Sequence, residues 1–165
     1  MSEIKIQQDS RREFVNTLNE LAKTDSSIIV LIPDVGFNYL NDPSLNFKVI
    51  NTGVTEQSTI MIAVGLALSG FKPYVYSMIN FVLFRPYEMV RNGIVNHHAN
   101  VKLLGVKGSS SYKFLGFSHN LTDDEEDVRT CENLRLKCYI PQTNEEVKRA
   151  VLESYQSNKP AYIRL

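Results

Sequence analysis

The chain has 165 residues and a formal net charge of zero, from 18 basic and 18 acidic side chains. This length fits one domain, residues 1–165, that is large enough to bury a core. The balanced charge, with no basic run longer than Arg11-Arg12, argues against nucleic acid or a membrane surface as a partner. Because the sequence has no membrane-span-length apolar run and no signal-like N-terminus, we expect a cytoplasmic protein.

The two cysteines argue against a metal or disulfide scaffold. Cys131 and Cys138 have no further Cys or His at the spacing of a zinc site. We therefore predict free thiols, buried or half-buried, and no metal site in this chain.

Apolar runs and helical periodicity alternate in the first half of the chain. The run at residues 28–32 is apolar on both faces, which is typical of a buried parallel strand. Five elements are predicted here: a helix capped by Asp9 or Ser10 that ends near Thr24, strands at 28–32, 47–50 and 74–77, and a helix between the second and third strands that ends at Gly70.

The same alternation continues to the end of the chain. The predicted elements are a helix at 81–96, a strand at 101–106, a long loop at 107–121, a helix at 123–132, a strand at 137–140, a helix around 147–151 and a strand at 161–165. This order predicts an α/β three-layer fold, with a mainly parallel sheet covered by helices on both faces. Ligands of such sheets bind at the carboxyl ends of the strands, but no glycine-rich phosphate motif is present there.

The segment Asn51–Gln57, which runs into Ile62–Leu68, resembles the strand-to-helix segment of transketolases and deoxyxylulose-phosphate synthases. That resemblance implies thiamine diphosphate as the cofactor and Glu56 as the catalytic carboxyl that hydrogen-bonds its aminopyrimidine ring. Glu56 would lie at the start of a helix that Thr52 or Thr55 caps. The alternative is a glutamate that only complements the helix dipole.

A second segment, Tyr76–Phe84, resembles the aromatic segment that packs on the aminopyrimidine in this family. On a helix, Phe81 and Phe84 would share a face and form one wall of an apolar slot. Met78 stands where transketolases often have an aromatic residue, and it keeps the slot apolar. Ordinary core packing is the alternative for both phenylalanines.

Two further matches concern the loops. Gly116–His119 resembles the Gly-Pro-Thr-His element of transketolases, which implies that His119 is catalytic and faces the substrate; an exposed loop histidine is the alternative. Upstream, Lys107-Gly108-Ser109 replaces an aspartate of that family, which implies a different sugar or a loss of activity.

Asp34, within Pro33–Gly36, resembles a segment that approaches the cofactor across a subunit interface. His97-His98 is predicted to be a solvated pair at a helix end.

The family also needs parts that this sequence lacks. Its diphosphate and Mg²⁺ are held by another domain with a Gly-Asp-Gly segment, and a third domain normally follows; neither is found here. The resemblance therefore implies a split enzyme that transfers a two-carbon ketol unit between sugar phosphates, with a partner chain that binds Mg²⁺-diphosphate and self-association into α2β2. Two alternatives remain open: the small subunit of a two-chain 2-oxo acid decarboxylase that uses the same cofactor, and a catalytically inactive binding module.

Overall fold

The computed structural model describes residues 2–35, 37–108 and 110–165. Gly36 and Ser109, which belong to two of the sequence motifs above, lie outside the described residues. The strands are β1 (Ile28–Ile32), β2 (Lys48–Asn51), β3 (Lys72–Met78), β4 (Lys102–Val106), β5 (Lys137–Tyr139) and β6 (Ala161–Arg164). They form a six-stranded sheet in the order β2-β1-β3-β4-β6-β5, and every pair is parallel.

Helices cover both faces of this sheet. They are α1 (Ser2–Ala22), α2 (Phe37–Leu40), α3 (Glu56–Leu68), α4 (Tyr87–Met89), α5 (Glu126–Leu134) and α6 (Asn144–Ser157). Side chains of α1 and α6 pack in one apolar cluster, and side chains of α3 and α5 pack in another on the opposite face. The predicted three-layer α/β fold with a parallel sheet is confirmed.

Each strand supplies apolar side chains to both clusters, and burial is greatest in the central strands, whereas the edge strands β2 and β5 are partly exposed. All five residues of β1 and of β4 are buried. On the α1 face, the ring of Phe14 lies 6.2 Å from that of Tyr74 and 6.1 Å from that of Tyr76 in β3. Burial of such rings and branched side chains is the main stabilising term of the sheet.

The predicted start of the first helix was wrong. The helix begins at Ser2, so Asp9 and Ser10 lie inside it and do not cap it. The preceding residues include Glu, Lys and Gln, which favour helix and offer no stop signal. A possible capping residue does not by itself end a helix when the sequence before it can continue one.

The predicted continuous helix at 81–96 was also wrong. The segment contains a π-helical turn at Asn80–Phe84, the short α4, and a second π-helical turn at Val90–Val95. Pro86 has no amide proton for the regular helical bond, and the neighbouring Arg85 N–H donates five residues back to the carbonyl of Asn80, at 2.9 Å. The wider turn changes which side chains share a face.

The predicted loop at 107–121 contains a 3-10 helix, Ser110–Ser118, that bends at Gly116 (φ 68°). Periodicity missed it because a 3-10 helix is short and leaves little amphipathic pattern. The predicted helix at 123–132 begins later, at Glu126, and extends to Leu134.

The topology places one crevice at the carboxyl edge of the sheet. The chain moves from β1 outward to β2 and then crosses to β3 on the other side of β1. At such a switch point the connections leave in opposite directions and open a crevice between the strand ends.

Cys131 and Cys138 are free thiols, buried and half-buried respectively, as predicted. No helix in the described part of the chain is long and apolar enough to span a membrane.

Candidate functional site

A network of threonines shapes the turn from β2 into α3. The amide of Thr52 donates to the carbonyl of Ile32 at 3.0 Å, which ties the turn to the end of β1. The hydroxyls of Thr52 and Thr59 lie 2.6 Å apart, and Thr59 is fully buried. The first turn of α3, which begins with Glu56, is thus fixed to the sheet edge.

Neither threonine caps α3 through its side chain. Thr55 occupies the N-cap position, but its hydroxyl donates to the carbonyl of Thr52 at 2.9 Å and accepts no bond from the helix. The predicted capping role was therefore wrong, because the turn uses its hydroxyls to hold itself together.

Glu56 is a buried carboxyl, with 5% of its surface exposed. Its Oε1 lies 2.5 Å from Nη1 of Arg85, in an ion pair that links α3 to the helical segment after β3. A buried carboxyl needs such a partner, since little water reaches it.

The ion pair continues into a row of aromatic contacts. The guanidinium carbon of Arg85 lies 4.3 Å from the centre of the Phe81 ring. The ring of Phe81 meets that of His119 edge to face, with centroids 4.9 Å apart. We call Glu56, Arg85, Phe81 and His119 the site row. The structure thus brings together three residues singled out by the sequence.

Arg85 is the member of the site row for which the sequence predicted no role. It follows Phe81 by four positions, a spacing at which side chains on a helix are neighbours. That spacing is a usable signal for the contact with Phe81. The pairing with Glu56, 29 positions earlier, needed the tertiary structure.

His119 is held by the end of the 3-10 segment. Its Nδ1 lies 2.8 Å from the hydroxyl of Ser118. The side-chain amide of Asn120 donates to the carbonyls of Tyr112 and Gly116, and Asn80 donates to the carbonyl of Asn120 at 3.3 Å. These bonds tie the segment to the end of β3, beside Phe81.

A cavity of about 300 Å³ opens beside the site row, at the carboxyl ends of β1, β3 and β4. Its described lining residues are Arg11, Val35, Asn38, Tyr39, Tyr76, Ser77, Met78, Phe81, Val106, Tyr112, Leu115 and His119. Burial raises the pKa of Tyr76 to about 12, with Arg11 acting in the opposite direction, so its phenol keeps its proton at neutral pH.

Three of the sequence-predicted residues, Glu56, Phe84 and Asp34, are not among the residues that line this cavity. Phe84 is half-buried and packs against the cluster on the α3 face. A π-helical turn holds more residues per turn than an α-helix, so positions three apart no longer share a face, and Phe81 and Phe84 diverge.

Asp34 is exposed and adopts a left-handed conformation, with φ 58°. Its amide donates to Oδ1 of Asn51 at 3.3 Å, and the same oxygen accepts from Gly53 at 2.9 Å. Asp34 therefore lies next to the turn that carries Glu56. His97 and His98 are both exposed at a helix end, as predicted.

The residues present fit the pyrimidine half of thiamine diphosphate. Glu56 offers a buried carboxyl for a ring nitrogen, while Phe81 and Met78 offer apolar surface for a flat ring. Within the described ranges, no group of three or more His, Cys, Asp and Glu side chains is placed to hold a metal ion.

Comparisons with known proteins identify the family of this chain. The model of the family "Transketolase, pyrimidine binding domain" matches residues 7–165. The chain is 34% identical over 160 residues to one subunit of the apulose-4-phosphate transketolase of Phocaeicola vulgatus, covering 94% of this chain and 50% of that protein. It is 27% identical to a putative transketolase C-terminal section of Methanocaldococcus jannaschii, covering 94% and 49%.

A solved split-gene transketolase, described as an inactive β4 tetramer, superposes with a TM-score of 0.80 at 26% identity. The match covers 94% of this chain and 50% of that one. The chain thus spans about half the length of the curated relatives named above. With a family match over nearly its whole length, the chain belongs to the family of transketolase pyrimidine-binding domains.

Proposed function

We propose that this chain supplies the pyrimidine half of a split, thiamine diphosphate-dependent transketolase. The observation that carries this proposal is the buried Glu56 at the start of α3, which Arg85 links to Phe81. Family membership supports the choice of cofactor.

The site residues then have distinct roles. The cofactor supplies a nucleophilic carbon that carries the two-carbon ketol unit. Glu56 holds a proton in a hydrogen bond to the ring nitrogen, and Phe81 and Met78 pack on the ring. His119 donates or accepts a proton at a substrate hydroxyl. Phe84, which packs against the α3-face cluster, is proposed as a further cofactor contact, and Asp34 as a contact across a subunit interface.

A partner chain is proposed to hold Mg²⁺ and the diphosphate. The outer side of α3 and the turn before it expose apolar side chains: Val54 (69% exposed), Met61 (48%), Ile62 (46%) and Leu68 (64%). Several exposed apolar side chains on one helix and the turn before it are typical of an interface. We propose that it is covered in an α2β2 assembly, and the relatives named as a transketolase subunit and as a C-terminal section support a divided enzyme.

The substrates are proposed to be a ketose phosphate donor and an aldose acceptor. The relative named for apulose 4-phosphate makes that compound the first donor to test. The loss of the family's aspartate near Lys107 supports a sugar that differs from common transketolase substrates.

The test is the substitution Glu56→Gln in the assembly isolated from the protein's own cells. We expect cofactor-dependent ketol transfer to fall at least about a hundredfold, since general acid–base groups contribute on that order. Glu88→Gln is the matched control, because Glu88 is exposed on α4. Activity is followed by coupled sugar assay at saturating thiamine diphosphate and Mg²⁺.

Three outcomes would contradict the proposal. Full activity in Glu56→Gln would remove Glu56 from the chemistry. Release of CO₂ from a 2-oxo acid, in place of ketol transfer, would favour the decarboxylase. An assembly that neither contains a diphosphate-binding chain nor binds the cofactor would favour a binding module.

A further inference from the structure

Arg85 already makes the two contacts proposed for the cofactor's pyrimidine ring. It donates to Oε1 of Glu56 at 2.5 Å, where a ring nitrogen would bond. It also lies over the Phe81 ring, with its guanidinium carbon 4.3 Å from the centroid, where the pyrimidine would pack. A guanidinium group is planar and carries N–H donors in its plane, as an aminopyrimidine does.

The burial of Glu56 explains why Arg85 occupies the position proposed for the pyrimidine ring. Only 7% of the Glu56 side chain is exposed, so an unpaired carboxylate there would lose most of its hydration. Arg85 compensates the charge and, through stacking, gains a cation–π contact. The pair therefore stabilises the site in the absence of cofactor.

The position of Arg85 allows its side chain to move away from Glu56 and Phe81. Its side chain is 41% exposed, so it can turn into solvent without first crossing the core. It follows a π-helical turn and precedes Pro86, where the helix is interrupted. A change of its side-chain rotamer would leave α3 and β3 in place.

We propose that Arg85 occupies the pyrimidine slot of the unloaded chain and is displaced when the cofactor binds. This inference rests on the proposed function, because it takes Glu56 and Phe81 as the pyrimidine contacts. Binding is then an exchange in which one planar hydrogen-bonding group replaces another on the same carboxyl and the same ring. Glu56 keeps a partner in both states, and Arg85 acts as a positioning residue that competes with the cofactor.

The first measurement follows the reactivity of Arg85 in the isolated assembly. The protein is treated briefly with phenylglyoxal, and modification at each arginine is counted by peptide mass spectrometry. We expect Arg85 to react several-fold faster with saturating thiamine diphosphate and Mg²⁺ than without them. Arg91 is an internal control, because it is exposed on the same segment and its Nε donates to the neighbouring Asn92.

The second measurement is the dissociation constant of thiamine diphosphate, obtained by calorimetry in saturating Mg²⁺. Removing the competitor with Arg85→Met should tighten binding about fivefold, the equilibrium factor of a partly exposed ion pair. Arg91→Met is the matched control and should bind as the unmodified protein does. Glu56→Gln, measured without cofactor, should speed modification of Arg85, since its partner loses its charge.

The outcomes separate this inference from the proposed function. Cofactor that protects Arg85 from modification, or that binds equally or more weakly to Arg85→Met, would overturn the inference alone, because Arg85 would then not compete with the cofactor. Cofactor that binds to none of the forms would contradict the proposed function itself. Faster modification with cofactor, together with tighter binding to Arg85→Met, would support both.

Discussion

At the scale of single residues, Asp127 is a fully buried carboxylate that joins α5 to the sheet. Its Oδ2 accepts bonds from the Tyr162 hydroxyl at 2.5 Å and from Nε of Arg164 at 2.9 Å. Its Oδ1 accepts from Nη2 of Arg164 and from the amide of Val128. Burial and the nearby Asp127 raise the pKa of Tyr162, which therefore remains a donor. The charge is fully paired, so its removal affects several partners together.

We predict that Asp127→Asn lowers the free energy of unfolding by about 3 kcal/mol, because it leaves Arg164 without its buried counter-charge. Urea unfolding followed by circular dichroism measures the change. The matched control is Asp124→Asn: that side chain is 81% exposed in its pair with Lys107, and its loss should not move the midpoint. Equal midpoints for both variants would show that the buried cluster adds no stability.

At the scale of elements, the 3-10 segment Ser110–Ser118 depends on a close backbone approach at Gly108. A Cβ at this position would lie 2.4 Å from the carbonyl oxygen of His119, closer than any real contact. Glycine is therefore required if the segment is to close over the end of β4.

We predict that Gly108→Ala shifts the segment and lowers kcat/KM about a hundredfold, because small displacements of reacting groups are costly. The thermal midpoint should change little, since the segment is largely exposed. A double-mutant cycle with His119→Ala tests whether the two residues act together. If the loss of kcat/KM in the double variant equals the product of the two single losses, Gly108 does not act through His119.

The elements also show which parts of the fold sequence patterns predict and which they do not. Strands β1 and β4 were predicted closely, because continuous apolar runs bury both faces of a strand. The helix at 81–96 was not, because π-helical turns at Asn80–Phe84 and Val90–Val95 interrupt it and leave no apolar period in the sequence.

At the scale of the whole molecule, the two edges of the sheet differ. The site row and the cavity lie at the carboxyl ends of the strands, while a charged cluster lies at their amino ends. There Asp25 accepts bonds from Lys72 at 2.6 Å and from Tyr155 at 2.8 Å, which joins β3 and α6 to the start of β1. Lys102 is almost fully buried at this edge and donates to Asn100.

Burial, with Lys72 nearby, lowers the pKa of Lys102 from 10.5 to about 8. The fold thus favours neutral Lys102, and stability falls as pH decreases from the unfolded-state pKa toward the folded one. We predict that Lys102→Met raises the free energy of unfolding at pH 7 by roughly 2 kcal/mol. Between pH 8 and 10.5 that advantage should shrink as the native lysine loses its proton.

Thermal unfolding of both proteins across this pH range measures the difference between their free energies of unfolding. Groups that titrate in the same way in both proteins do not contribute to that difference. Lys48→Met, at an exposed lysine of β2, is the control and should show no such trend. A Lys102→Met protein that is less stable at every pH would show that the bond to Asn100 outweighs desolvation.

The sequence by itself determined the α/β alternation and the parallel strands, because burial on two faces leaves a local pattern. The resemblance of the segment Asn51–Gln57 placed Glu56 at the start of a helix, where α3 begins. The sequence also identified the family from contiguous motifs. Only the tertiary structure decided that Arg85 pairs with Glu56, that Phe81 lines the cavity while Phe84 packs against the α3-face cluster, and that Gly108 lies against the backbone of His119. The first of these joins segments 29 positions apart, and the other two depend on local backbone geometry that leaves no pattern in the sequence.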